Sequence, residues 1–298
     1  MLSIIIVSWN IEKRLRNCLL SLANRMITSY EIIVVDNAST DRTVEMMRQE
    51  FSWIRLLANE ENLGFASACN QGIMATKGEF LLLLNPDVVV PRAALEGALE
   101  VFRSTHNLGM LGCRLVDENG ETQRSIFPFP TPMWDLFCAA GAVRLLRTVR
   151  GKLPNGILKV KGYLTGAFLL VRRKAVEDVG ILDGSIFMYG EDVEWCYRFH
   201  QAGWDIGYYP KVAIVHIGNQ SGKKAFGDGR LELVYRGIMY FQKKHFPHYY
   251  MIGSVIRAGS LMWKMMVMCP LDYLFPKIGK AQEYRDAFVA NFRAMLKG

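Results

Sequence analysis

The chain has 298 residues, 51% of them hydrophobic and 21% charged, with 36 Lys and Arg against 28 Asp and Glu for a formal charge of +8. This balance excludes a disordered chain, a disulfide scaffold and a collagen-like repeat, and the length allows one large α/β domain with a smaller appendage. Residues 1–198 carry 22 residues of each sign and residues 199–298 carry 14 Lys and Arg against 6 Asp and Glu, so the whole surplus is C-terminal. Such a surplus suits nucleic acid, a diphosphate or an anionic lipid surface. No zinc-finger spacing, RNP-type strand or helix-turn-helix pattern accompanies it, so nucleic acid is not an expected partner.

The apolar run at 3–8 has no basic segment before it and no cleavage site after it, so it reads as a buried first strand and not as a signal peptide. An amphipathic stretch at 12–24 follows, then a strand at 31–36, a helix at 40–51 and a strand at 54–58, the alternation of a parallel α/β sheet. Thr40 or Asp41 is a candidate N-cap. A helix is expected at 65–76 and a fully buried strand at 80–84, which stops abruptly at Asn85, Pro86 and Asp87. Residues 133–160, with Arg144, Arg147, Arg150 and Lys152, read as an insertion without an assigned role. Beyond it the expectations are a buried strand at 163–171, a helix at 191–202 and a last strand at 213–216 that ends on His216. No internal repeat is visible.

The stretch 250–269 is almost wholly apolar, with Gly253, Arg257, Ser260 and Lys264 on one narrow stripe and Trp263 nearby. That pattern predicts a helix in a membrane interface, its basic residues at the headgroups; a core helix with one solvent-facing edge is the alternative. Arg257 and Lys264 interrupt it too early for a membrane span. Cys18, Cys69, Cys113, Cys138, Cys196 and Cys269 form no C-x-x-C pair and read as reduced thiols, which predicts a cytosolic compartment.

The turn after the first strand, Ser8-Trp9-Asn10-Ile11-Glu12, has no glycine, and no phosphate-binding G-x-x-x-x-G-K-[ST] occurs, so dinucleotide-binding dehydrogenases and P-loop enzymes are not expected. The chain instead puts polar groups at successive strand ends: Ser8 and Asn10, Asp36 and Asn37, Asn85 and Asp87, then His216. Ligands bind α/β sheets at such ends, although each residue alone is equally well a turn or cap residue.

In combination the segments SIIIVSWN, VVDNASTDRT, NLGFASACNQGI, LLLLNPDVVV, TGAFLLVRR and MYGEDVEWCYRF resemble family 2 glycosyltransferases of the GT-A fold, over about residues 3–220. The closest similarity is to the bacterial branch that contains rhamnosyltransferases of cell-surface polysaccharide synthesis. The resemblance implies a mostly parallel central sheet flanked by helices, with a glycosyltransferase domain at 1–225 and a basic helical extension at 226–298. Within that domain, about 1–100 would bind nucleotide and about 101–225 would serve the acceptor.

By the same resemblance Asp36 would read the base or ribose, with Ser8, Asn10 and Asn37 beside it. Asn62, Gly64, Phe65 and Asn70 fall in the stretch that contacts nucleotide and sugar. Asn85-Pro86-Asp87 takes the place of the D-x-D motif, in which a divalent cation, Mn²⁺ or Mg²⁺, bridges carboxylate and diphosphate. Only the final carboxylate is kept, which makes Asp87 the main ligand candidate; the neutral Asn85 implies either a lower metal affinity or a contact with the sugar instead. His216 is similar to a histidine that some members use against metal or diphosphate, with Lys223 and Lys224 as electrostatic helpers. In Gly190-Glu191-Asp192 the family pattern makes Asp192 the general base and Glu191 its orienter, whereas the structural alternative is that both merely favour a helix N-terminus. Gly166 and Trp195 fall on the acceptor side.

The expected activity is inverting, metal-dependent transfer from a nucleotide diphosphate sugar to a saccharide or lipid-linked acceptor at the inner membrane surface. Deoxythymidine diphosphate rhamnose is the first donor; UDP-galactofuranose, UDP-glucose and UDP-N-acetylglucosamine are alternatives. A catalytically silent assembly partner of the same fold and a nucleotidyltransferase are the rival readings.

Overall fold

The computed structural model describes residues 1–23, 29–141, 149–217, 227, 229–274 and 280–297. The chain divides into two compact units, Met1–Phe127 with Thr148–Phe187 and Glu191–Ser221, and Pro128–Arg147 with Met188–Gly190 and Gly222–Gly298. Residues 128–147 and 188–190, expected inside a 1–225 domain, therefore group with the C-terminal helices.

The first unit is built on an eleven-stranded sheet. Its strands β1 (Leu2–Ser8), β2 (Tyr30–Asp36), β3 (Arg55–Ala58) and β4 (Phe80–Leu84) lie in the order β3-β2-β1-β4, all parallel. β1 and β4 are buried at every position because helices cover both faces, which is why they read as unbroken apolar runs. Next to β4 comes β12 (Phe168–Arg172), antiparallel to both of its neighbours, followed by β6 (Leu108–Val116) and β13 (Asp205–His216), parallel to one another. The antiparallel sense of β12 puts its first residue, Phe168, opposite Leu84, the last residue of β4. One edge of the sheet thus collects the carboxyl ends of β1, β2, β4, β6 and β13 and the amino end of β12.

The helices α1 (Glu12–Leu22), α2 (Thr43–Glu50), α3 (Phe65–Ala75) and α4 (Arg92–Arg103) follow the strands in the expected alternation. The α2 N-cap is Arg42; Asp41 helps from one position earlier, its carboxylate accepting from the Thr43 N–H at 3.0 Å. The run expected as one strand at 163–171 is two, β11 (Tyr163–Leu164) and β12, separated by a turn that contains Gly166. β13 begins at Asp205, eight residues earlier than expected. Asn24, Arg144, Arg147, Lys223 and Lys224 lie outside the described residues.

The second unit contains α5 (Pro132–Ala139), α8 (Gly229–His245), α9 (Tyr250–Leu274) and α10 (Lys280–Lys297). The segment Met188–Gly190 lies so close to Gly237 of α8 that any side chain there would meet the Tyr189 carbonyl. One buried polar network takes a residue from each of the four helices. Asp135 Oδ2 accepts from Arg257 Nη1 at 2.6 Å and from Gln242 Nε2 at 2.7 Å. Arg257 also donates to Ser254 and, at 3.2 Å, to Asn291 Oδ1.

This network corrects the expectation for Arg257. Its guanidinium does not reach lipid headgroups but turns inward, with 11% of the side chain exposed, against a buried carboxylate. Because removing one member of a buried ion pair leaves the other desolvated, Arg257→Met should cost about 3–5 kcal/mol. Adding Asp135→Leu should restore most of the loss, as read by urea unfolding of the two variants.

Candidate active site

Asp87 and His216 are distant in sequence and adjacent in space because the short strand β5 (Val88–Val89) pairs antiparallel with the end of β13, Val88 opposite His216. The Ile217 N–H donates to the Asp87 carbonyl at 3.0 Å and closes the pairing. The side chains then meet, Asp87 Oδ1 at 3.4 Å from His216 Nε2. Arg14 of α1 approaches the other oxygen, Nη1 to Oδ2 at 3.9 Å, too far for a hydrogen bond but close enough to act as a charge.

Gln123, in the short strand β7 (Thr122–Gln123) beside β6, sets the state of the imidazole. Its Nε2 donates to the His216 carbonyl at 2.7 Å, and its Oε1 lies 2.8 Å from His216 Nδ1. A carbonyl can only accept, so the amide orientation is fixed, Nδ1 must carry a proton, and in the neutral ring Nε2 faces Asp87 as a lone pair.

The ends of β1 and β2 are organised differently. Ser8 and Asp36 are 0% and 1% exposed, and the Asp36 carboxylate accepts from Ser8 Oγ at 3.0 Å, Ser39 Oγ at 2.6 Å and the Ser39 N–H at 2.9 Å. The expected contact of Asp36 with a base is therefore not accessible in this structure; a ligand would first have to displace the Ser39 turn. Asn10, at a left-handed φ of 53°, ties the same turn down by accepting from the Thr40 N–H at 2.7 Å. Asn37 donates to Asn62 Oδ1 at 2.7 Å and to the Gly64 carbonyl, and accepts from the Leu63 N–H. These residues shape the loops from within.

Gly64 has a φ of 83°, and a Cβ there would lie 2.6 Å from the Phe187 carbonyl, which the Phe65 N–H reaches at 2.7 Å. Only glycine fits this junction. Asn70 does not join the strand-end cluster: both ends of its amide pair with the backbone of Leu182, at 2.8 and 3.0 Å. Asn85 donates its N–H to the Ala167 carbonyl at 3.1 Å, which joins the end of β4 to the turn before β12.

That turn connects to α7 (Glu191–Gln201), where Asp192 Oδ2 accepts from the Gly166 N–H at 3.2 Å and Oδ1 from the Val193 N–H at 2.8 Å. Phe65 reaches the open side of Gly166, one ring carbon 3.8 Å from where a Cβ would sit. Burial pushes the Asp192 carboxyl up to about 6, outweighing the opposing pull of those two N–H groups. Tyr163 belongs to the same surroundings, its phenol raised first by burial and then by the charge of Asp192. Glu191 is buried, and Trp195 is wholly enclosed with its indole N–H on the Gly180 carbonyl at 2.9 Å. Trp195 supports the helix and presents no surface to an acceptor.

Gln123, Arg14, Ser39 and Tyr163 were not singled out from the sequence. The shallow depression lined by Tyr30, Glu31, Trp53 and Arg55 lies at the opposite, amino ends of β2 and β3 and contains none of these residues. Among the described residues, no three or more His, Cys, Asp or Glu side chains converge as a metal cluster.

The model of glycosyl transferase family 2 matches residues 3–180. The chain belongs to that family. It is 26% identical over 292 residues to the low-salt glycan biosynthesis hexosyltransferase Agl10 of Haloferax volcanii, covering 93% of this chain and 88% of that protein. It is 29% identical over 238 residues to the N-acetylglucosaminyl-diphospho-decaprenol L-rhamnosyltransferase of Mycobacterium tuberculosis, covering 72% and 75%. Among solved structures, the Pyrobaculum calidifontis mannosyltransferase in complex with GDP-Man and Mn²⁺ superposes with a TM-score of 0.64 at 16% identity, over 99% of this chain and 86% of that one. Residues 1–349 of S. aureus TarS in complex with UDP give 0.56 at 17% identity, over 98% and 80%. The fold of this glycosyltransferase is accordingly of the GT-A type, and its strand-end edge is the one assembled above.

The Gln123 geometry makes a direct prediction. Nitrogen-15 NMR of the neutral ring should show His216 as the Nδ1–H tautomer, and Gln123→Leu should move it toward Nε2–H. An unchanged tautomer in the variant would contradict the assignment.

Proposed function

We propose that this family member is an inverting glycosyltransferase that moves a sugar from a nucleoside diphosphate donor to a hydroxyl of a saccharide or lipid-linked acceptor during cell-surface glycan assembly. The observation that carries the reading is Asp192, a carboxyl at the sheet's ligand edge that burial pushes up to about 6 and two N–H groups hold in place. An acceptor hydroxyl is a poor nucleophile, and a carboxylate of that basicity is suited to take its proton at neutral pH.

In the step proposed, Asp192 removes the acceptor proton as the acceptor oxygen bonds to the anomeric carbon. The bond from that carbon to the diphosphate oxygen breaks on the opposite face, and the nucleoside diphosphate leaves with the electron pair. One displacement inverts the anomeric configuration without a covalent intermediate. Glu191 orients the base or acceptor, and Gly166 and Val193 hold the Asp192 oxygens.

Asp87 and His216 fit a divalent cation such as Mn²⁺ or Mg²⁺ by the chemistry of their donors: a carboxylate and a ring nitrogen that Gln123 leaves as a lone pair. Asp87 and His216 would hold such an ion, and it would supply charge compensation to the leaving group. Arg14 adds positive charge at the same carboxylate. The dry side chains of Ser8, Asp36 and Asn37 form the floor beneath the nucleotide, and the loop at Asn62–Phe65 with Asn85 borders the sugar. Deoxythymidine diphosphate rhamnose is the first donor to try, supported by the rhamnosyltransferase relative; UDP-galactofuranose, UDP-glucose and UDP-N-acetylglucosamine come next.

With a matching donor and metal, the product should be free nucleoside diphosphate; pyrophosphate would indicate nucleotidyl transfer, and no turnover with any donor or acceptor a silent protein. Asp192→Asn should lower turnover by about 10²–10⁴-fold while donor-induced thermal stabilisation persists. Since the base must be ionised, kcat/KM should rise with pH through about 6 and then level off. The sign for stability is opposite: the folded state holds the Asp192 proton more tightly than the unfolded chain, so stability from this group falls as pH rises from the ordinary Asp value, about 4, through the folded value. Asp192→Asn should remove that decline, as read by melting temperatures across the same range.

A further inference from the structure

Helix α9 is amphipathic in the reverse sense to the expected one. Its polar stripe faces inward, Arg257 and Ser254 joining the buried network on Asp135 and Asn291, and Gly253 enclosed beside Gln242. Its outward stripe is apolar: Met251, Val255, Met262, Trp263, Met266 and Val267 are all exposed, Trp263 by 65% and Val255 by 58%. With about 100° between successive residues of a helix, these six fall within less than half the circumference. On α10, Phe292 and Leu296 are likewise exposed, 50% and 73%. Exposed apolar residues that line up along one helix are a contact surface, whereas scattered ones are ordinary.

We propose that this face of α9 rests in the interfacial layer of an anionic lipid bilayer. A crossing is excluded for the described residues, since no helix there is long and apolar enough to span a membrane. A second copy of the chain is disfavoured by charge, because α8, α9 and α10 together carry 10 Lys and Arg against 4 Asp and Glu, and two copies would bring like charges together. Lipid headgroups of opposite sign complement that surplus, and exposed Lys243 and Lys244 at the end of α8 with Arg293 on α10 can meet them, Lys297 being paired with Glu232 at 2.6 Å. Trp263 suits the boundary, its ring in the apolar layer and its N–H among polar groups. The headgroup contacts thus come from neighbouring elements, and the membrane side of α9 is its Met- and Trp-bearing stripe. The benefit, meeting a lipid-linked acceptor where it is embedded, rests on the proposed function; the surface does not.

The test is flotation of the full-length protein with vesicles of phosphatidylcholine alone and of phosphatidylcholine and phosphatidylglycerol in equal parts, in low and high salt. The wild type should float with the anionic vesicles and lose much of that binding in high salt. The double variant Trp263→Ser, Met266→Ser, both side chains already exposed, should bind the same vesicles on the order of a hundredfold more weakly. Its melting temperature and its release of nucleoside diphosphate from donor in solution should be unchanged. Equal flotation of variant and wild type, or a wild type that ignores both vesicles, overturns the proposal. So does a wild-type dimer in sedimentation that the double variant dissolves without any vesicle binding. Flotation as expected with no donor turnover would leave this surface standing and count against the transferase reading alone.

Discussion

The pairing of Val88–Val89 with the end of β13 is the constraint on which the rest of the site depends. It seats a carboxylate that follows β4 against an imidazole that ends β13, and Gln123 then fixes which imidazole nitrogen faces the carboxylate. Without that short antiparallel ladder the edge would present two separate polar loops. With it, the edge has a focus of one carboxylate and one imidazole, to which Arg14 adds a positive neighbour.

Carboxylates along this edge do different work because their surroundings differ. Asp36 is enclosed by hydroxyls and an N–H of its own loop and organises that loop. Asp87 faces a ring nitrogen of His216 at 3.4 Å. Asp192 receives two N–H groups, yet burial dominates and raises its carboxyl, which is what the proposed base role requires. The antiparallel β12 links the last two, since the turn that precedes it carries both Ala167, which holds Asn85, and Gly166, which holds Asp192.

Much of this was legible in the sequence because strand ends in a parallel sheet announce themselves: 80–84 is apolar throughout and stops at Asn85, and 31–36 stops at Asp36 and Asn37. The alternation of elements and the place of Asp87 after 80–84 followed from that, whereas Asp192 was singled out only by the resemblance to the family pattern. Gln123 was not legible, since a single glutamine in a two-residue strand belongs to no pattern and acquires meaning only beside His216. Arg257 was read the wrong way round for a related reason. A helical polar stripe is the same in sequence whether it faces solvent or a buried partner, and its partner, Asp135, is remote in the chain. Asp36 was assigned to ligand contact although in this structure it is buried against Ser8 and its own turn, and no single sequence separates the lining of a pocket from the floor below it.

The central claim is that one edge separates two tasks, holding the diphosphate at Asp87 and His216 and taking the acceptor proton at Asp192. Calorimetric titration of nucleoside diphosphate with Mn²⁺ into the wild type, Asp87→Ala and Asp192→Asn, each also assayed for transfer, tests it most directly. The account predicts that Asp87→Ala loses metal-dependent binding and turnover together, while Asp192→Asn binds as the wild type does and transfers about 10²–10⁴-fold more slowly. Binding that survives Asp87→Ala unchanged, or an Asp192→Asn variant that transfers at near the wild-type rate, would contradict it.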